Sequence, residues 1–255
     1  MNIKMIATDL DGTLLRSDKT ISAYTQDVLR RCRAAGIRVV YATGRGYSAE
    51  VLADGTLFDG KIIMNGTLAR IGEEIICYHM MPRAVAYQIV TACDARGMNI
   101  TWVYGDVKYS NFAKPAAWTH VPDFQPTDFS QLHVDADELF ILNPTQEEQD
   151  FIAQLLPEDL YAVTTGGAEP MLQIMHKQAT KSQSIDRLAR RWGISPAEIA
   201  AFGDDMNDID MLTYAGQGIA MGNAPDAVKA VSNHLCKSND EDGVAHWLEE
   251  NVLAG

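Results

Sequence analysis

Two short apolar runs, each ending in a burst of acidic residues, constrain this chain more than any other feature of it. The first, Ile3-Lys4-Met5-Ile6-Ala7-Thr8, runs into Asp9-Leu10-Asp11-Gly12-Thr13-Leu14-Leu15. The second, Ile199 to Phe202, runs into Gly203-Asp204-Asp205-Met206-Asn207-Asp208. Apolar runs of this length bounded by turn residues read as strands buried on both faces, the kind found in parallel sheets covered by helices. The segments around them fit. Residues 22–35 carry apolar side chains at helical spacing and stop at Gly36, a natural residue just past a helix end. Ile37 to Ala42 is a second strand and leads through Thr43-Gly44-Arg45-Gly46 to another helix; Lys61 to Met64 is a third strand. Near the C-terminus, a helix over 182–192 closes at Gly193, Ser195-Pro196 makes a cap with Pro at the first helical position, and the run from Ile199 follows. A helix over 207–214, a strand from Gly218 to Met221, a helix from Pro225 to Val231 and an amphipathic helix over 243–253 complete it. Strand–helix alternation of this kind predicts an α/β fold with a parallel sheet covered on both faces.

The middle of the chain has a different grammar. Pro82 to Arg96 reads as a helix ended by Gly97. Ile100 to Tyr104 and Val107 to Phe112 flank Gly105-Asp106, a two-residue hairpin signal. Residues 114–133, with Pro115, Pro122 and Pro126, read as a loop. Leu139 to Leu142 is a strand, Thr145 to Leu156 a helix, and strands follow near 160–164 and 171–175. Helix–strand–strand therefore occurs twice, which predicts an α+β insertion: an open antiparallel sheet with helices on one face, spanning 82–178, with the α/β core made of 1–81 and 179–255.

Composition removes several functional classes. The chain has 255 residues, 47% of them hydrophobic, so it can bury a core without disulfides or a structural metal. With 21 Lys and Arg against 34 Asp and Glu, the net charge of −13 offers no footprint for nucleic acid or an anionic membrane surface. No stretch approaches the ~20 apolar residues that a membrane-spanning helix needs, and Asp9 and Asp11 interrupt the brief apolar start, unlike a signal peptide. The 4 cysteines are scattered without metal-type spacing, which predicts free thiols and a cytoplasmic location.

Chemistry gathers where the acids do. In open α/β sheets ligands bind beyond the carboxyl ends of the strands. If the two acid-tipped strands are neighbours, their carboxylates converge, and a cation relieves the repulsion; an all-oxygen set favours a hard ion, Mg²⁺ above others. Acidic residues after strands also serve as turn formers and helix caps, but two such clusters on one chain are harder to explain that way. An EF-hand calcium loop fails from either start: position 5 from Asp9 is Thr13, and position 3 from Asp204 is Met206.

Asp9-Leu-Asp-Gly-Thr-Leu-Leu, then Thr43-Gly-Arg, then Lys181, then Gly203-Asp-Asp-Met-Asn-Asp resembles the haloacid dehalogenase superfamily, and within it the Cof-type phosphatases of subfamily IIB, whose large cap is inserted after the second motif. The four motifs occur in order and span nearly the whole chain. The resemblance implies a Rossmann-like core with an inserted α+β cap, and a Mg²⁺-dependent phosphatase acting on small phosphorylated metabolites, sugar phosphates first among them. It implies Asp9 as the nucleophile that becomes an aspartyl-phosphate and Asp11 as general acid and then base. Thr43, Lys181 and Asn207, with the main-chain N–H groups of Leu10 and Gly44, would hold the phosphoryl oxygens. Mg²⁺ would sit on Asp9, Asp204 and the Asp11 carbonyl, with Asp208 supporting the metal or Lys181. Arg45 would contact substrate or pair with acids. The cap would close over the site on linkers near 79–83 and 177–181 and supply specificity.

Taken singly, several of these residues have plainer readings. Thr43 suits a turn, Lys181 a solvated helix start, Asn65-Gly66 a turn between strands, and His176 the surface. Ser182 stands where similar proteins carry Gly, and as a good cap it would let the helix start there. Two other functions share the scaffold: a phosphomutase or phosphotransferase, and a non-catalytic phosphometabolite-binding protein. The chain is expected to be a monomer or homodimer.

Overall fold

The computed structural model describes residues 2–116, 123–164 and 170–254. The part of the Pro-rich loop at 117–122, including Pro122, lies outside them. The chain divides into two compact units, residues 1–78 with 180–255, and residues 79–179.

The first unit begins with β1 (Met5–Thr8), α1 (Ala23–Ala34), β2 (Arg38–Ala42), a single-turn α2 (Ala49–Leu52), β3 (Gly60–Ile63), β4 (Leu68–Ile71) and β5 (Glu74–Tyr78). The second unit comprises α3 (Arg83–Asp94), β6 (Ile100–Tyr104), β7 (Val107–Ser110), β8 (Phe124–Pro126), β9 (Glu138–Leu142), α4 (Gln146–Leu155), β10 (Leu160–Thr164) and β11 (Met171–His176). The chain then returns to the first unit with α5 (Lys181–Arg191), β12 (Ile199–Gly203), α6 (Ile209–Tyr214), β13 (Gln217–Ala220), α7 (Asp226–Val231), β14 (His234–Leu235) and α8 (Gly243–Leu248). No helix among the described residues is long and apolar enough to cross a membrane. The four cysteines are free thiols.

The first unit's sheet has the order β14-β13-β12-β1-β2-β3-β4-β5. From β14 to β3 the strands are parallel. β1 lies between β2 and β12, so the chain leaves it on one side and returns on the other, the switch point at which such sheets open a crevice. Alternation along β1 serves both faces. Ile6 packs into one apolar cluster with Val28 and Leu29 of α1 and Trp247 and Leu248 of α8. Met5 and Ala7 pack into the other with Ile185 and Leu188 of α5 and Met211 and Leu212 of α6. The double coverage that the apolar strands imply is thus present.

The far edge of this sheet goes beyond the strands expected from the sequence. β4 and β5 form an antiparallel hairpin on β3, turning at Gly72-Glu73. Being at an edge, β5 is largely exposed at its start, where Glu74 and Ile75 face solvent.

In the second unit the order is β10-β11-β9-β6-β7-β8. The hairpin at Gly105-Asp106 forms with Tyr104 opposite Val107 and Gly105 at φ 61°. Apolar residues of α3 and α4 cover one face, meeting Trp102, Leu139, Ile141 and Ile174 of the strands. The sheet departs from the wholly antiparallel one expected: β8, inside the segment read as loop, pairs parallel with β7.

Candidate active site

Strand register brings the two acidic clusters together. Thr8 is opposite both Phe202 of β12 and Tyr41 of β2. One residue further along, Asp9 therefore stands beside Gly203 and Ala42, and the next residues on those flanks are Asp204 and Thr43. The Asp9 N–H donates to Phe202 O at 2.9 Å, carrying the pairing past the strand end. Leu10 is wholly buried in the core and anchors the main chain between Asp9 and Asp11.

Asp9, Asp204 and Asp208 each present a carboxylate oxygen within 4.8 Å of the others. Lys181, the first residue of α5 and only 1% exposed, reaches between two of them: Nζ is 2.7 Å from Asp9 Oδ1 and 2.6 Å from Asp208 Oδ1. The second oxygen of Asp208 accepts the N–H groups of Asp204 and Asp205 at 2.9 and 3.0 Å, which fixes the turn after β12. Gly203 allows this: a Cβ there would stand 2.5 Å from that of Asp208. Asp204 accepts from Thr13 Oγ1 at 2.7 Å. Asp205 turns away and caps the turn through the Met206 N–H at 2.7 Å, so it does not join the carboxylate cluster.

Charge follows geometry. Burial pushes the Asp9 carboxyl well above the usual carboxylate range, with Lys181 opposing and Asp208 adding to it. Burial likewise lifts Asp204, to about 6, against the hydrogen bond from Thr13 and with the help of Asp208 and Asp205. Burial would lower Lys181, but the carboxylates of Asp208 and Asp9 outweigh it and hold the ammonium above its ordinary value. Fully ionised, three carboxylates beside one ammonium would carry two uncompensated negative charges, the repulsion that adds to the upward shifts of Asp9 and Asp204. An all-oxygen donor set with that deficit fits a hard divalent cation.

Asp11 lies outside the cluster. The bend after β1, with Gly12 at φ 78°, turns its carboxylate to Arg45 and Lys19. Arg45 grips it with both arms of the guanidinium, Nη2 at 2.7 Å from Oδ1, and Lys19 Nζ is 2.8 Å from the same oxygen. Burial would raise the Asp11 pKa, but the hydrogen bonds from Arg45 and Lys19 outweigh it and hold the carboxyl below the usual range. Of the two readings for Arg45, the structure shows the acid pairing.

Thr43 Oγ1 accepts the Arg45 N–H at 3.1 Å, so it forms the turn and leaves its own O–H to donate. Gly44 is close-packed: a Cβ would meet Asn65 Oδ1 at 3.1 Å. Asn207 Nδ2 donates to that same oxygen at 2.9 Å, which joins the turn after β3 to the turn after β12. Asn65, buried and held at φ 52°, thus braces these two turns as well as forming its own. α5 starts one residue earlier than read. Thr180, not Ser182, is its cap, accepting the Gln183 N–H at 3.3 Å, while the Ser182 N–H donates to Asp210 Oδ2 at 2.8 Å. His176 stacks on His79 at 5.5 Å. Asn223 belongs to none of the four motifs. Its Nδ2 donates to Gly12 O at 2.8 Å, and its position just past β13, another strand end, was the available signal.

A family model for haloacid dehalogenase-like hydrolases matches residues 6–248. The chain belongs to that family. It is 28% identical over 289 residues to the phosphatase YwpJ of Bacillus subtilis, covering 97% of this chain and 99% of that one. It is 28% identical to the pyridoxal phosphate phosphatase YbhA of Escherichia coli, over 99% of this chain and 100% of that one. Among solved structures, a HAD subclass IIB sugar phosphatase superposes with a TM-score of 0.83 at 27% identity, covering 97% of this chain and 98% of that one. The protein is an enzyme, a phosphatase of this family.

Proposed function

We propose that the protein hydrolyses phosphate monoesters of small metabolites, sugar phosphates foremost, with Mg²⁺ and through an aspartyl-phosphate on Asp9. One observation carries the reading: a buried carboxylate at the strand tip, Asp9, shares a buried ammonium, Lys181, with Asp208 while facing Asp204. Asp9 and Asp204, with the main-chain carbonyl of Asp11, would hold the metal; both oxygens of Asp208 already serve Lys181 and the turn. When bound, the cation supplies charge neutralisation on the transferring phosphoryl oxygens.

The residues of the chain do the rest. Lys181 and the Thr43 hydroxyl bind the phosphoryl oxygens and orient phosphorus toward Asp9, since phosphoryl transfer asks chiefly for positioning and charge stabilisation. An Asp9 oxygen bonds to phosphorus as the bond to the leaving oxygen breaks, and Asp11 gives that oxygen its proton. In the second step a water oxygen bonds to phosphorus, its proton passes to Asp11, and the bond to Asp9 breaks to release phosphate. Arg45 and Lys19 hold Asp11 as a carboxylate, which suits the second step and makes the first the more demanding of its two tasks.

The sugar-phosphate class draws support from the subclass IIB sugar phosphatase, and the relative that acts on pyridoxal phosphate widens it to other small phosphate esters. The test is a panel of phosphorylated metabolites assayed for released phosphate. Sugar phosphates should turn over with Mg²⁺, EDTA should abolish turnover, and Asp9→Asn should remove it in a folded protein. Turnover retained by the variant, or after thorough chelation, would sink the nucleophile or the metal respectively. Release of phosphate without a sugar acceptor separates hydrolysis from a mutase.

A further inference from the structure

The residues between the first acidic cluster and α1 form a turn that carries Lys19 to Asp11. Lys19, a β-unbranched residue with no need for it, sits at φ 65°, in the left-handed region. That backbone is unfavourable for a non-glycine residue, so the surroundings must hold it. They do. The Lys19 N–H donates to Arg16 O at 2.8 Å and the Arg16 N–H to Thr20 O at 2.9 Å. Asp18 accepts from the N–H and hydroxyl of Thr20 at 3.0 and 2.6 Å. Ser17 donates its N–H and hydroxyl to Asp240 at 2.8 and 2.7 Å, tying the turn to the C-terminal segment.

This pinned backbone delivers one thing to the site, the Lys19 ammonium on Asp11 Oδ1. Among the described residues only Arg45 and Lys19 hydrogen-bond the Asp11 carboxylate. Half of the Lys19 side chain is in solvent, so the ion pair adds little to stability. Its consequence lies in where it holds the carboxylate.

We propose that Lys19 is a positioning residue: with Arg45 it fixes the Asp11 carboxylate in the orientation that takes a proton from the attacking water. This rests on the reading of Asp11 as acid and base. In the step concerned, water oxygen bonds to phosphorus, its proton goes to Asp11, and the phosphorus–oxygen bond to Asp9 breaks, regenerating the Asp9 carboxylate and releasing hydrogen phosphate.

The test uses the full chain with p-nitrophenyl phosphate, whose leaving group needs no proton. The specificity constant then reports the first step and kcat the second. For Lys19→Met, kcat should fall about tenfold, a part of the 10²–10⁴ that general base catalysis supplies. The kcat/KM should stay within about twofold, nitrophenolate should appear in a burst as phosphoenzyme accumulates, and the melting temperature should hold. Lys19→Arg should restore kcat, and Lys19→Met should do nothing further in an Asp11→Asn background. A parallel fall in kcat and kcat/KM, an additive double variant, or an unchanged kcat overturns the proposal. If Asp11→Asn alone lowers kcat with a burst and Lys19→Met does not, the proposal fails and the role of Asp11 stands; if Asp11→Asn leaves kcat untouched, both fall.

Discussion

Thr13 Oγ1 donates a 2.7 Å hydrogen bond to Asp204 Oδ1 across 191 residues of chain. Thr13 is itself buried, so the bond does not exchange readily with water. It fixes one oxygen of Asp204, while the other accepts from Asn223 Nδ2 at 3.5 Å. Partners that orient a metal-binding carboxylate typically contribute 10–100-fold to affinity. Thr13→Val should therefore weaken Mg²⁺ binding by about 10–100-fold, read by calorimetric titration into metal-free protein, and Thr13→Ser should retain it. Equal affinity for wild type and Thr13→Val would remove Asp204 from the metal set.

Gly12→Ala should damage the same place by a different route. Gly12 is at φ 78°, and a Cβ there would fall on the Asp204 carboxylate. The left-handed backbone alone costs roughly 1–2 kcal/mol with a side chain present. The substitution should lower the unfolding free energy by at least about that amount and displace Asp204. Activity at a temperature where the variant is fully folded should still be strongly reduced. Full activity in the folded variant would mean that Asp204 has no need of its present position.

Lys181→Met tests the electrostatic centre. Removing one partner of a buried ion pair leaves charges uncompensated and costs about 3–5 kcal/mol. Here two carboxylates lose their ammonium at once. Denaturant unfolding of the metal-free protein should show a loss of about 3 kcal/mol or more, and activity should drop at least about 100-fold. A stable, active variant would reduce Lys181 to a space-filling helix start.

Which of these features were readable in the sequence follows from their range. β1, β2, β12 and β13 announce themselves because strands covered on both faces are apolar at nearly every position, Thr8, Arg38 and Gln217 standing only at their ends. β4 and β5 do not: Arg70, Glu73 and Glu74 break the pattern of an edge hairpin that needs to be apolar on little of its surface. Asp9, Asp204 and Lys181 were legible from motif order. The grip of Arg45 and Lys19 on Asp11 and the Asn65–Asn207 bond were not, since they depend on how bends after separate strands meet. The start of α5 was missed by one residue because Thr180 and Ser182 both offer a capping hydroxyl, and local sequence does not choose between them.

Glu138 carries a pH prediction outside the site. It opens β9 on the face away from α3 and α4, buried, with Gln173 Nε2 at 3.4 Å, and with Asp137 and Lys108 as its charged neighbours. Burial pushes its carboxyl up to about 7, Lys108 opposing and Asp137 adding. A carboxyl whose folded pKa exceeds its unfolded value near 4.5 binds its proton more tightly when folded. Its contribution to stability is complete below about 4.5 and is lost as pH rises through about 7. The difference of about 2.5 units, at 1.36 kcal/mol each, makes that loss about 3 kcal/mol. Wild type should thus lose stability between pH 5 and 8, and Glu138→Gln, which stays neutral and keeps the shape, should flatten the slope and be the more stable protein at pH 8. Guanidinium unfolding of both at the two pH values measures it; parallel slopes would show that Glu138 is ionised in the folded protein throughout.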